Sequence, residues 1–450
     1  MWHWRLQPLA ARTGSEIFAK LYGKQAIATL LESPYPTPKA FPKLALFSIC
    51  AGQPIGEILT PKIGEILPTL RGLLADKSEP KPEVEHLPFT GGYIGWLGYD
   101  LAWEIESLPN NNRDELPFPV AYWYQPESFA ILDHETQILW LAALEETQLD
   151  ELEQQLQQSL PETSTPTTSQ NFPLKFLSDR QAYISAVEQA KKYIQVGDIF
   201  QTNLSLRFHT QTETSGWDIY QKLHKINPSP FASYWRSPWG EMISCSPERL
   251  VKKTGNLVET RPIGGTRPRG NTPAEDEALG QELSSNIKER AEHTMLVDLE
   301  RNDLGRACEW GTVEVDEQFI LEHYSHVIHL VSNVKGQLDP KQDEADLIRG
   351  MFPGGTITGC PKVRCMEIIE ELEPFRRSLF YGSCGYLDQR GNLDLNILIR
   401  TLLLVPNGDR PSDVYGQVGA GIVADSHPEK EWFESLQKAK AQLQALQIQS

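Results

Sequence analysis

The chain has 450 residues, of which 40% are hydrophobic and 23% are charged. This is the composition of a globular protein, not of a disordered or fibrous one, and the length allows two or three domains, or one large two-layer domain with an appendage. The formal charge of −18 argues against binding to nucleic acid or to an anionic membrane, because both are themselves negatively charged.

The main boundary in the chain lies at a linker. Residues 145–160 carry leucines at helical spacing, whereas residues 161–174 include a Pro/Ser/Thr-rich run that is too poor in apolar side chains to be buried. We therefore divide the chain into an N-terminal region, residues 1–160, a linker or exposed loop, residues 161–174, and a C-terminal region, residues 175–450.

A helix is predicted over residues 179–195, with Ser178 and Gln181 as a capping box and Gly197 after its end. Residues 199–208 then alternate between apolar and polar types, which predicts a strand. One face of this strand is polar and fits either a solvated surface or the wall of a polar cavity. That face consists of Gln201, Asn203, Ser205 and Arg207.

Residues 393–404 repeat this alternation and predict another strand with one polar side. Helices are predicted over residues 275–304, 360–372 and 427–447. Strands and helices are mixed in both halves, so we expect an α+β fold with large, mostly antiparallel β-sheets.

Two of these helices carry clusters of carboxylates. In the last one, Ser426 and Glu429 predict a capping box, and Glu431, Glu434 and Lys438 share one face. The cluster in the helix over residues 275–304 consists of Glu289, Glu292, Asp298, Glu300 and Asp303. Each cluster fits either a solvated charged face or a site for Mg²⁺, which prefers carboxylate oxygens.

Three glycine-rich segments are candidate binding motifs. Residues 261–270 contain three arginines, which is typical of an anion-binding loop or of a basic turn that pairs with acidic neighbours. Residues 354–362 lack the Gly-Lys-Ser/Thr of a phosphate loop, and too little chain follows residues 419–424 for a dinucleotide-binding unit. The backbone N–H groups of residues 419–424 could instead bind a carboxylate.

The six cysteines include no Cys-x-x-Cys pair, so we expect reduced thiols in a cytoplasmic protein. Cys384 lies in a Gly-Ser-Cys-Gly sequence without a suitable histidine partner and is predicted to be structural. The N-terminus lacks the features of a signal peptide, and every apolar run is far shorter than the roughly 18 residues of a membrane span.

Taken together, these segments resemble the chorismate-utilising enzymes: component I of anthranilate synthase, component I of aminodeoxychorismate synthase, and isochorismate and salicylate synthases. The matching segments, in family order, are residues 197–201, 246–249, 261–270, 289–293, 326–332, 352–362, 399–401 and 419–426, with weaker matches at residues 30–33 and 92–100. The resemblance implies antiparallel sheets that form a sandwich around the active site with helices outside. It also makes residues 1–160 the family's N-terminal region and residues 175–450 its chorismate-binding catalytic region.

The resemblance further implies roles for single residues. Glu292 and Glu434 match Mg²⁺ ligands, with Glu431 close by. The residues that match positions around the substrate ring are Glu248, His329 and Thr356. The groups that match carboxylate-holding or cationic contacts are Arg400, the backbone of Gly419, Ala420 and Gly421, and Lys438. A dianionic substrate with a poor leaving group requires such cations together with a general acid.

Three positions bear on the type of reaction. Gln201 stands where water-using members have a lysine base, which favours ammonia as the nucleophile. Residues 352–359 resemble aminodeoxychorismate synthase, which predicts amination at C4. Gly264, however, stands where many aminodeoxychorismate synthases have a lysine nucleophile and anthranilate synthases have a small residue. Anthranilate synthase therefore remains an alternative, as does a regulatory paralogue that only binds chorismate or tryptophan.

Two partners follow from the resemblance. The sequence shows no glutaminase triad, so ammonia is expected from a separate glutamine amidotransferase subunit. Residues 31–33 and 227–231 resemble segments around a tryptophan pocket in relatives, which predicts a possible tryptophan site.

Overall fold

The strands of the protein form two large antiparallel β-sheets. The computed structural model describes residues 2–38, 44–75, 77–158, 172–324 and 327–448. All pairings between its named strands are antiparallel. The predicted α+β class with antiparallel sheets is therefore confirmed.

The strands, in chain order, are β1 (His3–Pro8), β2 (Ala28–Glu32), β3 (Phe47–Ala51), β4 (Gly92–Leu97), β5 (Ala121–Tyr124), β6 (Ser128–Asp133), β7 (Ile138–Ala143), β8 (Lys175–Phe176), β9 (Gln201–Thr212), β10 (Phe231–Ser237), β11 (Gly240–Ser246), β12 (Arg249–Thr254), β13 (Leu257–Arg261), β14 (Ile263–Pro268), β15 (Glu314–His323), β16 (Val327–Gln337), β17 (Gly359–Cys360), β18 (Ser383–Asp388), β19 (Leu393–Asn396), β20 (Thr401–Asn407) and β21 (Arg410–Ile422).

The α-helices are α1 (Gly14–Leu21), α2 (Ile66–Leu73), α3 (Ala102–Ile105), α4 (Glu146–Gln157), α5 (Arg180–Gln195), α6 (Gly216–Ile226), α7 (Pro273–Ser285), α8 (Ile287–Gly305), α9 (Glu344–Met351), α10 (Lys362–Leu372) and α11 (Pro428–Ala445). A 3₁₀ turn at Gly355–Ile357 precedes β17. None of the helices in the described ranges combines the length and apolarity needed to cross a membrane.

The two sheets share strands from both sides of the predicted linker. The larger sheet has the order β1-β7-β6-β3-β2-β10-β11-β20-β21-β9-β17, with β8 beside β9, and the smaller has the order β14-β16-β13-β12-β19-β18-β4-β5, with β15 beside β16. Of the predicted linker, residues 161–171 lie outside the described residues. So does His326, in one of the segments that carry the resemblance.

The core has two parts. Between the sheets, Trp96 of β4 packs edge-to-face on Trp235 of β10, with ring centroids 5.6 Å apart. On the other face of the larger sheet, side chains such as Phe18 and Trp432 pack beneath α1, α4, α5, α6 and α11. The structure is thus a sandwich of sheets with helices outside, as expected for elements that each bury one apolar face.

The predicted helix over residues 275–304 is wrong in one respect, because it is two helices, α7 and α8. Asn286 separates them, and its side-chain oxygen accepts the backbone N–H groups of Lys288 and Glu289. An asparagine that caps a new helix in this way interrupts a continuous helix without a proline or glycine.

Two predicted helix caps are also wrong by one residue. Asp179, not Ser178, caps α5 and accepts the N–H of Ala182 at 2.8 Å. At α11 the N-cap is His427, while the Ser426 hydroxyl accepts the N–H of Val423 in the preceding turn. Neighbouring residues of suitable type compete for such positions, so sequence places a cap only to within a residue or two.

The predicted strand over residues 393–404 is two strands that belong to different sheets. The chain leaves the smaller sheet at the end of β19 and enters the larger sheet at β20. Arg400 lies in the crossing with φ of +53°, a left-handed conformation that is uncommon for residues other than glycine. The strand predicted over residues 199–208 begins at Gln201, and Phe200 before it is 67% exposed.

Candidate active site

The crossing between the sheets places the Arg400 side chain in a partly buried position. Its Nη1 donates to Asn227 Oδ1 at 3.0 Å. Burial lowers the pKa of the guanidinium, although nearby Tyr324, Cys245 and Glu248 oppose this effect. Arginine stays charged even so, and the crossing therefore presents a fixed cation beside Glu248.

Glu248 lies in the short connection between β11 and β12 and is 5% exposed. Burial raises the pKa of its carboxyl to about 7, against the opposing effects of the Thr356 hydroxyl, the Ile263 backbone and Arg400. This carboxyl therefore changes protonation near neutral pH, as a general acid or base must.

His329, on β16, is the second buried titratable group beside Arg400. It is 2% exposed, and its Nδ1 hydrogen-bonds with Thr266 Oγ1 at 2.9 Å. Burial, with a further contribution from the Arg400 charge, lowers the pKa of the imidazole to about 3. The ring is thus neutral at physiological pH and can form hydrogen bonds without adding positive charge.

Several polar atoms of the predicted site are buried without a hydrogen-bond partner in the described part of the chain. These atoms are Gln201 Oε1, Asn203 Oδ1, Glu248 Oε1, His329 Nε2 and Thr356 Oγ1. Buried polar atoms in proteins are normally paired, because leaving one unpaired costs about 1–3 kcal/mol. Such atoms occur elsewhere in the chain too, but Glu248 and His329 both lie near Arg400 and Thr356 lies beside Glu248, so this group fits a polar ligand.

The glycines of β21 border the same region. Strand β20 pairs with β21 only as far as Gly416, whereas β9 continues to pair with it through Ile422. Beyond Gly416 alternate backbone groups therefore point away from β9, which leaves N–H groups available for a ligand. A Cβ on Gly419 would lie 2.5 Å from the backbone oxygen of Leu204, while Ala420 packs into the core beneath the sheet.

The glutamates predicted to bind Mg²⁺ face one another from α8 and α11. Burial raises the pKa of Glu292, and the carboxylates of Glu431 and Glu434 raise it further. Two lysines offset this charge: Lys288 lies 3.7 Å from Glu292, and Lys438 lies 3.0 Å from Glu434. Within the described ranges, no group of three or more acidic, His or Cys side chains is assembled to hold a metal ion. The donor chemistry still fits Mg²⁺, which commonly takes one or two carboxylates together with substrate oxygens.

Lys438 also contacts β21. Its Nζ donates to the backbone oxygen of Gly419 at 3.0 Å, in addition to its ion pair with Glu434. The lysine therefore connects the acidic face of α11 to the edge of the glycine segment.

Gly264 is placed by the structure against the ring of His293. A Cβ at position 264 would lie 2.4 Å from His293 Nδ1. The histidine is fully buried, and its Nε2 hydrogen-bonds with Ser332 Oγ at 2.7 Å. This backbone therefore leaves no room for a side chain at the position where some relatives have a lysine.

The arginines of residues 261–270 are paired with carboxylates, so the interpretation of this segment as an anion-binding loop is wrong. The pairs are Arg261 with Glu322 at 2.7 Å, Arg267 with Glu282 at 2.6 Å, and Arg269 with Asp276 at 2.7 Å. Much of the segment forms β14. In a chain with an excess of acidic residues, the arginines bind neighbours instead of a ligand.

Sequence reasoning missed a buried ion pair beneath the site. Arg377 Nη2 lies 2.7 Å from Glu373 Oε1, and the arginine also donates to the backbone oxygens of Ile357 and Asn203, both at 2.8 Å. The same Glu373 oxygen accepts the N–H and the hydroxyl of Ser205. The polar face of β9 is thus an inner wall and not a solvated surface. The i,i+4 spacing of the pair was visible in the sequence, but it is more typical of exposed helix faces.

Two residues from sequence motifs, Cys384 and Lys362, have structural roles. Cys384 is buried in β18, as predicted for a structural cysteine, and burial raises the pKa of its thiol to about 12. Lys362, in the rejected phosphate-loop motif, pairs with Asp303 at 2.5 Å.

A separate cavity of about 240 Å³ lies between the sheets. Both segments predicted to surround a tryptophan pocket contribute to it. Their lining residues include Leu31, Ser33, Pro230 and Phe231. The carboxylate of Glu32, between the first two, is bound by the Ser15 hydroxyl at 2.7 Å and by the Tyr220 hydroxyl at 2.6 Å.

Comparison with known proteins identifies one family. The sequence matches the family described as chorismate binding enzyme over residues 47–444. An anthranilate synthase component I-like protein from Synechocystis sp. is 61% identical over 99% of this chain and 92% of its own length. Aminodeoxychorismate synthase component 1 of Bacillus subtilis is 45% identical over 82% of this chain and 80% of its own length. The crystal structure of anthranilate synthase component I from Streptococcus pneumoniae superposes with a TM-score of 0.79 at 32% identity, over 88% of this chain and 92% of that one.

Proposed function

The chain belongs to the family of chorismate binding enzymes, and we propose that it aminates chorismate at C4 to give 4-amino-4-deoxychorismate. The observation that carries this proposal is the grouping of Glu248, His329 and Thr356 near the Arg400 cation, each with a buried polar atom that has no hydrogen-bond partner in the described part of the chain. A dianionic substrate that must lose a hydroxyl needs such a combination of a cation and a proton donor. The choice of C4 rests on the resemblance of residues 352–359.

In the proposed reaction some residues bind the substrate and others transfer protons. Arg400 binds a substrate carboxylate. The part of β21 that pairs with β9 alone provides backbone N–H donors at Gly419 and Gly421. Glu248, whose pKa is about 7, donates a proton to the leaving hydroxyl, which departs as water while ammonia forms the new C–N bond and loses a proton. The neutral His329 ring hydrogen-bonds the substrate.

The residues that would hold Mg²⁺ are Glu292 and Glu434, with Glu431 beside them; the ion would neutralise a substrate carboxylate. Glu434→Gln removes an anionic ligand from a partly exposed position, so it should lower kcat/KM by about 100-fold without unfolding the chain. Glu429→Gln is the matched control, because Glu429 lies on the same helix and its side chain is 71% exposed. Full activity of Glu434→Gln, or turnover that EDTA does not reduce, would contradict the assignment.

Anthranilate synthase is the second candidate function, and the packing of Gly264 on His293 favours it because no lysine nucleophile fits there. That enzyme would aminate C2 and eliminate pyruvate. One incubation separates the two: purified chain, chorismate, Mg²⁺ and ammonium at mildly alkaline pH. 4-Aminobenzoate that forms only after a pyruvate-eliminating lyase is added supports the main proposal. Anthranilate and pyruvate without the lyase would overturn it.

Ammonia is supplied, in this proposal, by a separate glutamine amidotransferase subunit, because the similar proteins are named as component I. The chain alone should then turn over chorismate with ammonium salt but not with glutamine. Adding the amidotransferase should make glutamine effective. Glutamine-dependent turnover by the purified chain without a partner would contradict this.

The cavity between the sheets is proposed to bind tryptophan, on the grounds of its volume and of Leu31 and Phe231 in its lining. Calorimetric titration with tryptophan measures binding, and a parallel activity titration shows whether binding inhibits the enzyme. Absence of binding at millimolar tryptophan would reject the site.

A further inference from the structure

Glu300 is a buried carboxyl on α8 to which the proposed reaction assigns no role. It is 3% exposed. Its Oε1 accepts the backbone N–H of Gly355 at 3.3 Å, and its Oε2 accepts the hydroxyl of Thr260, on β13, at 3.2 Å. The carboxyl therefore connects the 3₁₀ turn Gly355–Ile357 to the smaller sheet.

The turn rests directly on α8. A Cβ at Gly355 would lie 2.4 Å from Leu299 Cδ2 and 3.1 Å from Glu300 Oε1. Only glycine allows the backbone to approach the helix this closely, and the short distance is what brings the N–H of the turn to the carboxyl.

Thr356 is the central residue of that turn. Among the described residues its buried hydroxyl meets no partner at hydrogen-bond geometry, yet it lies close enough to the Glu248 carboxyl to lower the pKa of that group. At the other end of the turn, Arg377 donates to the backbone oxygen of Ile357 at 2.8 Å. The position of the Thr356 hydroxyl thus depends on one buried side chain at each end of the turn.

The surroundings of Glu300 favour its neutral form. Burial raises the pKa of Glu300, and the nearby carboxyls of Asp303 and Glu248 raise it further. Lys362 opposes them, but it forms its ion pair with Asp303. A neutral carboxyl acts here as a hydrogen-bonding group and not as a charge.

We propose that Glu300 is a positioning residue for the amination of chorismate: it holds the Gly355–Ile357 turn and thereby sets the Thr356 hydroxyl against Glu248. The inference rests on the proposed function. In this proposal Glu300 acts through Thr356, and its side-chain hydrogen bonds in the described ranges are to Gly355 and Thr260, not to the carboxylates assigned to Mg²⁺.

Two substitutions of Glu300 separate positioning from other roles. Glu300→Gln keeps both hydrogen bonds, because the amide oxygen accepts from Gly355 and the amide nitrogen donates to the Thr260 hydroxyl. Glu300→Leu keeps a similar volume and removes both bonds. Glu309→Gln is the control, since Glu309 lies shortly after the end of the same helix, is exposed and belongs to neither carboxylate cluster.

Consumption of chorismate with ammonium and Mg²⁺ is measured for each purified variant, and kcat and KM are determined separately. We expect Glu300→Gln and Glu309→Gln to keep kcat within about threefold of the wild type, and Glu300→Leu to lose about tenfold or more in kcat with less than about threefold change in KM. Circular dichroism and urea unfolding verify the fold. If Glu300→Leu does not fold, Thr260→Val, which removes one of the two bonds, should still lower kcat and not KM.

An unchanged kcat in folded Glu300→Leu or, in its place, Thr260→Val would overturn the inference and leave Glu300 a purely structural group. A loss in Glu300→Gln as large as that in Glu300→Leu would also overturn it, because the reaction would then require the carboxyl itself. A wild-type chain that consumes no chorismate refutes the proposed function, and this result is independent of the variants.

Discussion

Replacing Gly264 by alanine adds one methyl group at the position where the two candidate functions differ. In the native backbone this methyl carbon would lie 2.4 Å from Nδ1, 2.7 Å from Cγ and 2.9 Å from Cβ of His293. The imidazole cannot swing away freely, because it is fully buried and hydrogen-bonded to Ser332. Overpacking of this kind costs about 1–3 kcal/mol, and we expect a loss of about 2 kcal/mol in the free energy of unfolding.

A double-mutant cycle with His293→Ala isolates the contact. Without the ring the added methyl has space, so Gly264→Ala should cost at least about 1 kcal/mol less in the His293→Ala background than in the wild type. Urea unfolding, followed by tryptophan fluorescence, gives the free energy of unfolding of the wild type, the two single variants and the double variant. Gly72→Ala is the control, because nothing lies within 4 Å of its added Cβ on α2, and it should be neutral or raise stability by about 0.5–1 kcal/mol.

Equal costs of Gly264→Ala in the two backgrounds, within about 0.5 kcal/mol, would refute the steric reasoning. The same reasoning applies to a larger side chain. Gly264→Lys should destabilise the chain more than Gly264→Ala, and His293→Ala should relieve part of that cost.

Three further predictions follow from the same geometry. Burial raises the pKa of Glu248 from 4.5 to about 7, so between these pH values the folded chain keeps a proton that the unfolded chain has lost. The free energy of unfolding therefore falls by up to about 3 kcal/mol as pH rises through this range. Glu248→Gln should lack this pH-dependent loss when urea unfolding is compared at about pH 5 and pH 8. Arg377→Leu leaves the Glu373 carboxylate buried and unpaired, which should cost about 3–5 kcal/mol in the same assay, and a loss below about 1 kcal/mol would contradict the pairing. Arg400→Lys loses the planar fork that matches a carboxylate, so KM for chorismate should rise about tenfold; an unchanged KM would remove Arg400 from the binding site.

Local sequence patterns predicted the long helices well. The stripe of apolar residues in the last helix predicted residues 427–447, and the structure has α11 at Pro428–Ala445. The same periodicity could not show that Asn286 divides the helix predicted over residues 275–304, because the break comes from two hydrogen bonds of one side chain and not from a change of pattern.

The sequence by itself determined the antiparallel α+β class and the family, because both depend on local order and on residue identity, and it supplied the residues of the candidate site. Tertiary structure alone decided that the polar face of β9 is an inner wall and that the chain crosses between the sheets at Arg400, between β19 and β20. It also decided that the arginines of residues 261–270 are already paired. The inner wall depends on partners far apart in the chain, such as Ser205 with Glu373, 168 residues away. Alternation along a strand shows that two faces differ, but only the packing of the sheets decides which face meets protein and which meets a ligand.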